Sequence, residues 1–217
     1  MEKKYLIIIA IVVLVVAVVG ALFATGFFNN AQTTPFDTEF MSGAFTGNVA
    51  QGESNESFMA TYHDDANNIT YNLTTMDNSS ELMELYKFQG VMGPEKRSFN
   101  GQEWNIYFGE ALPVVNNTTV SNTSKAMGIV ICEAHTGHQG YVIYTIFSDL
   151  SKVNFTLNTF GDSYVKFIEP LLKSIKLKDT DNIASVSQQF GLSNDEFAQQ
   201  IELIRQINAG NYSGLEG

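Results

Sequence analysis

The stretch Ala126–Phe147, AMGIVICEAHTGHQGYVIYTIF, holds two runs rich in β-branched and aromatic residues on either side of a polar, Gly-bearing segment. Such runs favour strands, and a Gly-rich break between them favours a turn. Ala126–Ala134 and Tyr141–Phe147 therefore read as the two strongest strands of the chain, joined by a turn over His135–Gly140.

The same pattern continues on both sides. Lys96–Phe99 and Glu103–Phe108 flank Asn100-Gly101, the strongest short hairpin signal present. Trp104, Ile106 and Phe108 fall on one face of the second strand. Upstream, Phe58, Ala60 and Tyr62 alternate, as do Ile69, Tyr71 and Leu73, and His63–Asn68 between them is turn-like. Asn78 with Glu81 marks a helix start, Leu82, Leu85, Tyr86 and Gln89 follow helical spacing, and Gly90 ends the run. Downstream, Tyr164, Val165, Ile168, Leu171, Leu172 and Ile175 predict a helix from Asp162, with Pro170 kinking it or opening a new turn. The expected fold is α+β: an antiparallel sheet of five or more strands with these two helices on one face. A short C-terminal helical pair is expected over Asp181–Gln189 and Asp195–Ile207, the second capped by a Ser193–Glu196 box. The pair superficially resembles a helix-turn-helix, but its lone basic residue, Arg205, argues against DNA binding.

Leu6–Phe28 carries no charge, and Lys3 and Lys4 precede it. A bilayer span needs about 20 apolar residues, and a Lys excess marks the cytoplasmic side. These residues predict a cytoplasmic stub and transmembrane anchor over 1–28, with the membrane entered through residues 5–28. A linker over 29–50, in which Phe36, Phe40 and Phe45 argue against pure disorder, an α+β domain over 51–178 and a helical appendage over 179–217 complete the expected organisation. On this reading the chain is a single-pass protein of the cell membrane, its C-terminal domain extracellular.

The chain carries 23 acidic and 12 basic residues, a net charge of −11, which disfavours nucleic acid as a partner. Its one cysteine allows no internal disulfide. Asn-x-Ser/Thr triplets occur at Asn55, Asn68, Asn72, Asn78, Asn116, Asn117, Asn122, Asn154 and Asn211. Each is a glycan acceptor only if exposed in a glycosylating compartment, an expectation that agrees with the outward orientation.

Candidate chemistry is sparse. Cys132, His135 and His138 are suitable ligand types for zinc or copper within a short span. Strand alternation instead points Cys132 and its neighbour Glu133 to opposite faces, making Cys132 a small buried hydrophobe. His63-Asp64-Asp65 offers oxygen ligands for calcium without the spacing of a calcium loop. No Gly-x-Ser-x-Gly elbow or phosphate-cradling glycine loop occurs. Trp104, Tyr107, Tyr141 and Tyr144 suit either a groove for sugar or peptide or, more simply, the packing of a sheet. No cofactor and no catalytic set are expected.

The helix around Ser80–Lys87, the hairpin through Phe99-Asn100-Gly101-Gln102-Glu103-Trp104, the pair Ala126–Phe147 and the closing Phe167–Lys178 segment with Leu172-Lys173-Ser174-Ile175 resemble, over residues 57–178, small α+β domains of the PsbP/Mog1 type, tethered forms of which occur in methanogenic archaea. The resemblance implies a curved antiparallel sheet packed on helices, serving as a binding or assembly module with no catalytic residues. The function expected from sequence is thus a non-enzymatic, membrane-anchored envelope protein binding a partner protein or surface polymer. A metal- or solute-binding module built on Cys132–His138, and an envelope hydrolase, are the alternatives.

Overall fold

A computed structural model of the chain describes residues 32–53, 56–77, 79–88, 91–111, 127–137, 139–149, 161–189 and 192–210. The strands are β1 (Thr33–Asp37), β2 (Met41–Thr46), β3 (Ala50–Gln51), β4 (Met59–Asp64), β5 (Ile69–Asp77), β6 (Met92–Phe99), β7 (Gln102–Ala111), β8 (Met127–Thr136), β9 (Gln139–Phe147) and β10 (Lys176–Leu177). The helices are α1 (Ser79–Phe88), α2 (Glu169–Ser174), which continues a π-helical turn over Tyr164–Ile168, α3 (Val186–Gln189) and α4 (Asn194–Asn208).

β3 to β9 form one antiparallel sheet in the order β3-β4-β5-β9-β8-β7-β6, and β1, β2 and β10 form a small second sheet. The two strands quoted at the outset are its inner members: β9 lies between β5 and β8, and β8 between β9 and β7. Their pairing runs from Gly128↔Phe147 to Thr136↔Gln139, so the strands extend into the expected turn over His135–Gly140. At the β6–β7 turn Asn100 and Gly101 both have positive φ, 52° and 81°, the conformation that makes this dipeptide a hairpin signal.

Each face of the large sheet buries a different cluster. On the first, Trp104, Ile106, Cys132, Ile143 and Tyr71 pack with Phe40, Met41 and Phe45 of the β1–β2 hairpin and with Tyr164, Leu171 and Leu172. On the second, Tyr107, Ile131 and Val142 pack with Leu82 and Met83 of α1 and Phe197 and Ile201 of α4. Each large apolar side chain removed from water contributes about 1.5–3 kcal/mol. Placing both predicted helices on one face was therefore wrong. α1 covers the second face and the Tyr164–Ser174 segment the first, because β8 and β9 present apolar residues in both directions.

Pro170 stands at the second position of α2, directly after the π-helical turn, so the proline falls where the helix changes pitch. α4 opens with the full capping box: Ser193 Oγ accepts from Glu196 N, and the Glu196 carboxylate accepts from Ser193 N. Arg205 of α4 donates to both carboxylate oxygens of Glu84 on α1, at 2.8 and 3.2 Å. The C-terminal helices thus pack on α1 within the compact unit Thr33–Gly217.

The membrane anchor requires correction. Among the described residues no helix is long and apolar enough to cross a membrane. The longest, α4, has 15 residues and is amphipathic, burying Phe197, Ile201 and Ile204 along one side, whereas a span takes about 20 apolar residues. The run over residues 5–28 lies outside the described residues. The transmembrane helix in the fold class, the single-pass cell-membrane topology with an extracellular C-terminal domain, the membrane as partner and the envelope role built on them are accordingly withdrawn.

Candidate functional site

The first face of the sheet is filled by its core, and the second is covered only in part. The start of α1 meets β8 and β9 near their connecting turn, at Glu133 and Gly140, and beyond its C-terminal end the sheet is uncovered among the described residues. Cross-strand register arranges the open surface in rows. Thr61 pairs with Asn72, Asn72 with Tyr144, and Tyr144 with Ile131. In the next row Thr70 pairs with Ile146, and Ile146 with Ile129. The result is a trough of about 590 Å³, floored by β4, β5, β9 and β8 and walled by Tyr86, Val91, Gly109 and Glu110. Small-molecule sites fall between about 300 and 1,000 Å³.

Its floor is divided by residue type. β8 and β9 supply Ile129, Ile131 and Ile146; β4 and β5 supply Thr61, Asn72 and Thr74, with Met59 at the end. Tyr144 stands at the boundary, its ring 6.0 Å from that of Tyr86 and nearly perpendicular to it. Burial raises the pKa of both phenols, and the contact between their hydroxyls raises that of Tyr144 while lowering that of Tyr86. Thr61 Oγ1 donates to Asn72 Oδ1 at 2.9 Å and orients that amide. A side chain at Gly109 would approach Val91 to 3.1 Å, so the glycine lets the wall sit close to the sheet.

A buried polar cluster holds the helical wall in place. Glu133, 1% exposed, accepts from Ser79 Oγ and His135 Nε2 on one carboxylate oxygen and from Asn105 Nδ2 and Tyr107 OH on the other. Burial pushes its pKa up, but the bonds from His135, Ser79 and Asn105 and the attraction of His135 together bring it below the ordinary value. His135 moves the opposite way, raised by its bond to Glu133 against its own desolvation. The arrangement is not a catalytic relay: Ser79 and His135 both bond to the carboxylate, and both Ser79 and Glu133 are buried.

The expected metal set does not assemble. Cys132 is fully buried on the first face, where desolvation pushes its thiol pKa up, while His135 lies with Glu133 on the second. His138 lies outside the described residues. No group of three metal-ligating side chains occurs among the described residues. Asp64 is buried and clasps its own turn, accepting from Asn67 N at 3.1 Å and Asn67 Nδ2 at 2.7 Å. Trp104 and Tyr141 are fully buried in the first core and Tyr107 in the second; of the four aromatics weighed from sequence only Tyr144 lines the trough. Two acceptor asparagines are described. Asn68 is exposed in the β4–β5 turn with φ 55°, and Asn72 lies in the trough floor. Asn55, Asn78, Asn116, Asn117, Asn122, Asn154 and Asn211 lie outside the described residues.

No family model matches the chain, and no curated protein matches it. Among solved structures, one from Bacteroides thetaiotaomicron VPI-5482 is similar, with a TM-score of 0.45 and 8% identity over 68% of this chain. The match spans 49% of that structure's length.

Proposed function

We propose that this chain is a non-enzymatic binding domain that holds a small, uncharged amphipathic ligand in the trough beside α1. The observation that carries the reading is the trough itself, a concave, partly apolar surface on a face the fold otherwise buries. Among the described residues its lining includes Glu110 and no thiol or imidazole, a set suited to holding a molecule more than to transforming it. A binding module is also what the resemblance to PsbP/Mog1-type domains implies.

The test uses the full-length chain and the neutral fluorophore 6-propionyl-2-dimethylaminonaphthalene, whose emission shifts to the blue in an apolar site. Saturable binding with one site per chain, weakened at least about tenfold by Ile146→Trp, is expected. Ile146 is partly exposed in the floor, so the larger ring occupies the trough without entering a core. Absence of saturable binding, or equal binding by Ile146→Trp, contradicts the proposal.

A further inference from the structure

Resting on the trough reading, we infer that the ligand carries a neutral, hydroxyl-rich head, seated on Thr61, Asn72 and Thr74, and an apolar tail that runs across β9 and β8. The partition of the floor assigns the two ends. The β4–β5 half is uncharged: Thr61 donates to Asn72 and Thr74, 2% exposed, donates to Thr75 O at 3.5 Å, so the hydroxyls offer acceptors and Asn72 Nδ2 offers a donor. The Thr61–Asn72 bond occupies Asn72 Oδ1 and leaves its Nδ2 without a protein partner among the described residues. A sugar-like head, with hydroxyls that donate and accept in turn, satisfies such a set. A head that only accepts or only donates leaves part of it unpaired, and unpaired buried polar groups are the strongest basis for rejecting a wrong ligand.

Charge sets the other limit. The chain is at −11 overall, and no lysine or arginine lines the trough among the described residues, so an anionic head is repelled. A cationic head would be drawn to Glu110, but that residue is on β7, three strands from β5, and strand alternation puts its side chain with Ile106 and Phe108 on the other face. At about 4.8 Å per strand, and three residues off the Asn72 row at about 3.4 Å each, it stands about 18 Å from Asn72. A cation there would leave the Thr and Asn groups without a partner and place the tail over the polar half. Across β4 to β7 the trough measures about 19 Å by the same spacing, room for a hexose followed by a medium-length alkyl chain.

The experiment measures, by calorimetry on the full-length chain and by displacement of the bound fluorophore, four probes: n-octyl β-D-glucoside below its micelle concentration, 1-octanol, octanoate and methyl β-D-glucoside. Octyl glucoside is expected to bind at least about tenfold more tightly than octanol, with octanoate weaker than octanol. In Asn72→Leu, or in Thr61→Val as an independent variant, that advantage falls to about threefold or less while octanol binding persists. Equal binding of octanol and octyl glucoside, or an advantage untouched by both substitutions, overturns the head assignment and leaves the trough standing. Failure of all probes and of the fluorophore overturns both.

Discussion

The Ser79 hydroxyl donates to the Glu133 carboxylate at 2.7 Å, and each residue is only 1% exposed. This contact ties the first residue of α1 to an inner strand of the sheet. The positive end of the helix dipole faces the carboxylate and favours its ionised form. Through α1 it also fixes Tyr86 at the trough wall.

The pair formed by Glu133 and His135 makes stability depend on pH in a stated direction. The pKa of Glu133 is lowered by folding, so its contribution is present above its ordinary value of 4.5 and is lost as pH falls through the folded value. That of His135 is raised, so its contribution is full below 6.5 and is lost as pH rises through its folded value. Stability from this pair is greatest between about pH 5 and 6.5. Urea unfolding across pH 4–9 checks this. His135→Gln is expected to remove the alkaline decline, and Glu133→Gln to cost about 3 kcal/mol near pH 6 by opposing an amide to the donors around it.

Gly140 faces Ser79 across the same junction. A Cβ at that position would lie 2.2 Å from Ser79 Oγ and 2.7 Å from Ser79 Cβ. Gly140→Ala must therefore lift the start of α1 from the sheet. A loss of about 2 kcal/mol is expected, with faster hydrogen exchange in α1 than in α4. An unchanged midpoint in denaturant would show that the helix start is not seated as described.

How much of this was legible in the sequence depends on which neighbours a signal needs. Asn100-Gly101 and the Ser193–Glu196 box are read locally, because the turn conformation and the cap involve residues a few positions apart. The β1–β2 hairpin is not: Phe40 and Met41 are fully buried only because distant strands and Leu171 pack on them. The trough is not legible in the sequence for a related reason. Ile129 and Ile131 alternate with Val130 and Cys132, so an apolar run does not say which of its two faces stays open. Glu133 inside the same run was the one visible sign of a polar junction there, and its partners lie 26 to 54 residues away apart from His135.

Thr145 is fully buried in the first core with its hydroxyl lacking a hydrogen-bond partner among the described residues. Removing a buried polar group that pairs with nothing relieves its desolvation cost. Thr145→Val, nearly the same in shape, is expected to raise stability by about 1 kcal/mol and the thermal midpoint by a few degrees. Destabilisation by a similar amount would mean that the hydroxyl is hydrogen-bonded in solution, for example to an ordered water.

The central claim is that the open part of the second sheet face is a ligand site. Amide chemical-shift mapping of the full-length chain during titration with the naphthalene fluorophore tests it most directly. The predicted result is saturable change concentrated at Thr61, Asn72, Ile129, Tyr144 and Ile146, with little at Trp104, Cys132 and Ile143 on the opposite face. Changes spread over unrelated surfaces, or confined to the β6 edge, would contradict the account.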